Sequence, residues 1–216
     1  MPIYPNHRAV FVHIPKNGGS TITTLLKRDR FLGRRVNHVD PRGVGCEVIS
    51  DYLQTLEDES ESYFKFSFVR NPWDRFVSAY HYICQRRPEI KEVVSLGSFD
   101  NFVSEFSRDP DTFLGIRYFK PQWKYLTDHT GSVPMDFVGR FEQFEDDLAI
   151  ALKAIGLRRS VIRHRKQTKR KDYRDYYSSS SRGVIASVYA RDIDLFSYEF
   201  ENGTRRRNSS LLRFLD

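Results

Sequence analysis

The sequence has no apolar run approaching the roughly 18 residues that a membrane-spanning helix needs. Its opening stretch, MPIYPNHR, has no signal-like apolar core, so the chain is expected to be soluble and not exported. For the same reason the acceptor patterns Asn202-Gly-Thr and Asn208-Ser-Ser are not read as glycosylated. Cysteine is scarce: Cys46 and Cys84 stand alone, in separate predicted helices and without metal-ligand spacing. They are expected to be reduced and buried as small hydrophobes. No cluster of other residues has metal-ligand spacing either, and there is no internal repeat or linker. The G-x-x-x-x-G-K-[ST] loop is also missing, which disfavours a kinase or nucleoside triphosphatase.

What remains is a globular composition, 39% hydrophobic and 14% aromatic, over 216 residues. That length is expected to form one domain over residues 1–200, followed by a polar tail over 201–216. The formal charge of +7 peaks in RRSVIRHRKQTKRKDYR (158–174) and in Arg205-Arg206-Arg207, and it invites a polyanionic partner. Nucleic acid, an acidic polysaccharide and a multiply phosphorylated cofactor all satisfy that charge.

The pattern predicts strands over 8–14, 64–69 and within 133–142. Helices are predicted over Ser20–Arg30, Arg42–Leu56, Pro72–Gln85, 99–107, 143–155 and Ser179–Ile193. Asn71-Pro72 marks one helix start, with asparagine as cap and proline in the first turn. Strands alternating with helices point to an α/β fold with a central, mainly parallel sheet flanked by helices. Such sheets bind ligands beyond the carboxyl ends of their strands.

Two segments fall at such ends. In the first, RAVFVHIPKNGGSTITT (8–24), an apolar run leads into Lys16-Asn17-Gly18-Gly19-Ser20-Thr21. Glycine allows backbone angles that other residues resist, and helix-start amides favour an anion. Ser20 and Thr21 add hydroxyl donors and Lys16 a positive charge. In the second, FSFVRNPWDRFVSAYHY (66–82), Arg70 ends a strand, where its planar fork suits two phosphate oxygens. Ser78, eight residues on, lies about two turns into the next helix. Taken alone, Arg70 is better explained by a structural salt bridge and Ser78 by packing.

Together, HIPKNGGST and FVRNPWDRFVSAY resemble the two signature elements of the sulfotransferases that use 3′-phosphoadenosine-5′-phosphosulfate (PAPS). More narrowly, the likeness is to bacterial-type members of the carbohydrate group related to heparan and chondroitin sulfotransferases. It continues through DFVGRFEQFEDDL (136–148), HRKQTKRKDYRDYY (164–177) and YARDIDLFSYEF (189–200). The resemblance implies a P-loop-like three-layer fold. It also implies that Lys16, Asn17, Gly18, Gly19, Ser20 and Thr21 hold the 5′-phosphosulfate, and that Arg70 and Ser78 hold the 3′-phosphate. In the basic segment bacterial members often read His-x-Asn-x-Ser, where this chain has His164-Arg165-Lys166-Gln167-Thr168. That run is closer to the Arg-Lys-Thr of heparan 2-O-sulfotransferases, which implies that Arg165, Lys166, Thr168 and Lys169 close over the cofactor.

Sulfuryl transfer, like phosphoryl transfer, depends on in-line positioning and charge stabilisation. Lys16 suits the charge growing on the leaving phosphate, and the scheme calls for no metal. The product would be 3′-phosphoadenosine-5′-phosphate (PAP). Among six histidines, His38 follows the first helix where bacterial members carry a histidine, and it is the candidate base for the acceptor hydroxyl. Next in line is Glu47. Arg34 and Arg35 suit an acidic acceptor, and Arg117, Lys120, Gln122, Trp123 and Lys124 a sugar site. The expected acceptor is a glycan, with a glycolipid or small metabolite as alternative. A nucleic-acid-binding protein is the reading from another class; it explains the charge but not the two anion turns. The expected location is the cytoplasm, or else this is the soluble catalytic domain of a Golgi membrane protein.

Overall fold

The computed structural model describes residues 3–29, 34–35, 48–157 and 170–201. In chain order the elements are β1 (Ile3–Tyr4), β2 (Ala9–Val12), α1 (Gly19–Lys27), β3 (Arg28–Asp29), β4 (Arg34–Arg35), α2 (Ile49–Leu56) and β5 (Phe64–Val69). Next come α3 (Pro72–Arg86), α4 (Lys91–Val94), α5 (Phe99–Arg108), α6 (Pro110–Leu114), α7 (Trp123–Leu126), β6 (Phe137–Arg140), α8 (Phe144–Ala154), α9 (Ser179–Val188) and α10 (Ala190–Phe196). The described residues divide into two compact units. One runs to Val69 and resumes from Lys124 to residue 157; the other runs from Arg70 to Trp123 and from 170 to 201.

The first unit holds an α/β sheet in the order β1-β2-β5-β6. Its β2, β5 and β6 are parallel, and β1 is antiparallel on the edge. The reason lies in FKFSFV: alternate residues of a strand share a face, so Phe64, Phe66 and Phe68 line one side. Phe66 and Phe68 join Phe11 and Phe137 of the neighbouring strands, with Ile22 and Leu26 of α1 and Phe144, Leu148, Ala151 and Leu152 of α8, in one core. Fully burying such a side chain contributes about 2–3 kcal/mol, so this column fixes the strand's register. On the other face the Ser67 hydroxyl, fully buried, donates to the Val12 carbonyl at 2.7 Å.

The second unit is helical, and its core is aromatic. Trp73, Phe76, Val77, Tyr80 and Ile83 of α3 pack with Phe99, Phe102, Phe106, Phe113, Phe119, Ile185 and Tyr189. The Phe76 ring meets those of Phe102 at 5.1 Å and Phe106 at 4.9 Å. Asn71 caps α3 as expected: its side-chain oxygen accepts from Trp73 N–H at 3.1 Å and Asp74 N–H at 3.4 Å.

Several expectations are corrected. The strand over 8–14 is shorter, Ala9–Val12, because the chain beyond it turns toward α1. The helix expected over Ser20–Arg30 ends at Lys27, because Arg28–Asp29 pairs antiparallel with Arg34–Arg35. The helix expected over Arg42–Leu56 is interrupted at Val48, which is extended and whose N–H donates to the Asp51 carboxylate at 3.1 Å; α2 runs from Ile49, and residues 42–47 lie outside the described residues. The single helix over Ser179–Ile193 is two, broken at Tyr189, whose hydroxyl donates to the buried Phe119 carbonyl at 2.6 Å. Cys84 is exposed, not buried, although Ile83 beside it in the last turn of α3 is in the core. Cys46 and the segment 202–216 lie outside the described residues. No helix among the described residues is long and apolar enough to cross a membrane.

Candidate functional site

Beyond Val12 the chain turns through residues 13–18 into α1, so the expected loop does sit at the carboxyl end of a parallel strand. Two residues of this turn are left-handed: Gly18 with φ +82° and Lys16 with φ +74°. For a non-glycine residue that conformation costs about 1–2 kcal/mol, so the surrounding structure holds Lys16 there. Asn17 is one such support. It is 1% exposed, and its Nδ2 donates to the Phe68 carbonyl at 2.7 Å, tying the loop to β5.

The two glycines are needed for different reasons. Gly18 combines a positive φ with close packing, since a Cβ there would overlap the Phe144 ring. Gly19 opens α1, and a Cβ there would overlap the His13 imidazole. The Gly18 carbonyl accepts from Thr21 N–H at 2.9 Å, closing the first turn. The N–H groups of Gly19 and Ser20 have no acceptor among the described residues, as helix-start amides do not. Ser20 is exposed, Lys16 half-buried and Thr21 buried. The loop therefore offers a cation, an exposed hydroxyl and open amides at the positive end of a helix dipole.

In the second unit Arg70 is buried and already engaged. Its Nε donates to Asp74 Oδ2 at 2.8 Å, and Nη2 stands 2.7 Å from the same oxygen. The other oxygen, Oδ1, takes Arg170. Asp74 thus holds two guanidinium groups together by charge-assisted hydrogen bonds. Ser78 is 4% exposed, and its hydroxyl has no hydrogen-bond partner among the described residues. His81, one turn further on, contacts the Tyr176 ring at 5.0 Å. Burial first, and the Arg170 guanidinium second, hold its imidazole below the usual value.

Of the remaining candidates, His38, Glu47, Arg165, Lys166, Thr168 and Lys169 lie outside the described residues. Arg34 and Arg35 form β4, pairing with Asp29 and Arg28. Arg117 is exposed and donates to the Tyr118 hydroxyl at 3.0 Å. Lys120 is half-buried. Arg191 stacks 3.8 Å over the Trp123 ring. Gln122 is fully buried, with its amide on the Arg70 backbone and not at a sugar-facing surface. Sequence reasoning also passed over Arg170, which lies within the basic run but one residue beyond the four it assigned to the cofactor. Only the position of Arg170 in that run pointed to it.

An α/β sheet with an anion-receptive turn at a strand's carboxyl end defines the class: a P-loop-like α/β domain. The model of the sulfotransferase family matches residues 2–199, and the chain belongs to that family. Among curated proteins it is similar to carbohydrate sulfotransferase 11 of Rattus norvegicus and that of Mus musculus. Each is 24% identical over 238 residues, which cover 91% of this chain and 66% of the relative. The chain thus spans just under two thirds of the length of these relatives. No solved structure gives a significant match.

Proposed function

We propose that the chain transfers the sulfuryl group of PAPS to a hydroxyl of a carbohydrate, releasing PAP. The observation that carries this reading is the turn over residues 16–21, with left-handed Lys16 and Gly18 and open amides at the start of α1. A lysine, a hydroxyl and backbone donors are what a phosphosulfate needs. Family membership and the names of the two relatives support the reaction and the acceptor class.

The donor supplies a sulfuryl group on a phosphate leaving group. Lys16 is assigned the negative charge that grows on the leaving oxygen, and the loop amides with Ser20 and Thr21 orient the group. Asn17 keeps its amide on Phe68 and so fixes the loop's position. Arg70 and Ser78 are assigned to the 3′-phosphate. Arg165, Lys166, Thr168 and Lys169 are assigned to cover the phosphates. His38 takes the acceptor proton as the acceptor oxygen–sulfur bond forms and the sulfur–phosphate oxygen bond breaks. Arg34, Arg35, Arg117, Lys120 and Trp123 are assigned to the acceptor side, Arg117 and Trp123 sharing their groups with Tyr118 and Arg191.

The test is transfer of labelled sulfate from PAPS across unsulfated and partly sulfated polysaccharides, with glycolipids and small hydroxyl metabolites in parallel. Label in a polysaccharide is the expected result. Label only in a glycolipid or metabolite would replace the acceptor. No transfer at all, with tight oligonucleotide binding, would overturn the reading.

A further inference from the structure

We infer that Gln122 is a positioning residue for the anion site built on Arg70, holding the Arg70 backbone while Asp192 holds Gln122. The inference rests on the reading of Arg70 as a ligand of the donor's 3′-phosphate. Arg70 is the first residue beyond β5, so the ladder that pairs the strand's backbone ends just before it. Gln122 takes over. Its Oε1 accepts the Arg70 N–H at 2.9 Å, and its Nε2 donates to the Arg70 carbonyl at 2.8 Å. One side chain thus meets both polar groups of one residue, as a neighbouring strand would.

Gln122 is itself fixed. Its own N–H donates to Asp192 Oδ2 at 2.8 Å, and the next N–H, of Trp123, donates to Oδ1 at 2.8 Å. Gln122 and Asp192 are both 0% exposed, so these bonds are made without competition from water. Burial pushes the Asp192 carboxyl above its usual range, with the two N–H donors opposing. The residue type matters, because an amide supplies a donor and an acceptor side by side at every pH. Glutamate in its ionised form would set an oxygen against the Arg70 carbonyl, and methionine would leave both backbone groups unpaired. Everything the Arg70 guanidinium can reach depends on where its backbone stands.

The experiment compares affinity for PAP with affinity for adenosine 5′-monophosphate, which lacks the 3′-phosphate, by calorimetry. The variants are Arg70→Ala, Gln122→Met and Asp192→Asn, each with a melting curve as a check on folding. Arg70→Ala should collapse the PAP preference. Gln122→Met should cut it by about tenfold while monophosphate affinity stays within about twofold, because the lost bonds act on one phosphate only. Asp192→Asn should cut it less. A residue with a structural role alone would lower the melting temperature or weaken both ligands together. If Arg70→Ala leaves the preference intact, the phosphate reading itself fails. If Arg70→Ala collapses it and a folded Gln122→Met keeps it, the inference is overturned while the reading stands. Should Gln122→Met not fold, an unchanged preference in Asp192→Asn overturns the inference instead.

Discussion

The imidazole of His13 fills the space that a side chain on Gly19 would require. His13 is in turn stacked on Phe11 of β2, with ring centroids 5.8 Å apart, so it cannot withdraw freely. The close approach brings the start of α1 against the end of β2, where the turn over residues 13–18 is made.

Gly19→Ala should therefore destabilise the protein by about 1–3 kcal/mol, the usual cost of overpacking. Adding His13→Ala should recover part of that loss, because the two side chains compete for one volume. Denaturant titration of both single variants and the double variant checks this. Additive losses would show that the contact does not limit residue 19.

Lys16 combines a backbone role and a charge role that one substitution separates. Lys16→Gly removes the left-handed penalty of about 1–2 kcal/mol, offset in part by glycine's greater freedom when unfolded. The melting temperature should stay level or rise, while turnover falls by about a hundredfold or more. Turnover near wild type would remove Lys16 from the leaving-group role.

Asp74 lies between Arg70 and Arg170. Asp74→Ala leaves two largely buried guanidinium groups facing each other and should cost about 3 kcal/mol. Added PAP or inorganic phosphate should then raise the melting temperature more in the variant than in wild type, because an anion can replace the missing carboxylate. An equal rise in both proteins would mean that the pair does not bind phosphate.

His81 should make stability pH-dependent. Its folded value is lowered by burial and by Arg170, with the Tyr80 and Tyr176 rings also against it. The unfolded chain then binds the proton at higher pH than the folded one, so stability is lost as pH falls through about 6.5. His81→Gln should flatten the fall in melting temperature between about pH 7 and pH 5. Parallel curves for variant and wild type would refute this.

His38→Ala should abolish turnover and leave PAP affinity within about twofold, since a general base acts on the acceptor and not on the nucleotide. Near-normal turnover would transfer the role to another group, Glu47 first.

Local sequence was enough for the helix start at Asn71-Pro72, the alternating phenylalanines of FKFSFV and the strand-to-helix turn at 16–21. Each is signalled by residue types within a few positions, which the order of side chains states directly, although Asn17 then ties the turn to Phe68, 51 residues away. The chain path decided the rest. Gln122 reads as a surface residue of a basic-aromatic stretch, yet it is buried against Arg70, 52 residues away. Asp192 holds Gln122 across 70 residues, and Arg170 reaches Asp74 across 96. The break at Tyr189 likewise follows from the core it meets, its hydroxyl donating to Phe119, 70 residues away. Pairings at such separations leave no periodic trace, because a buried polar group is satisfied by whichever partner the fold delivers, and only the packed structure names it.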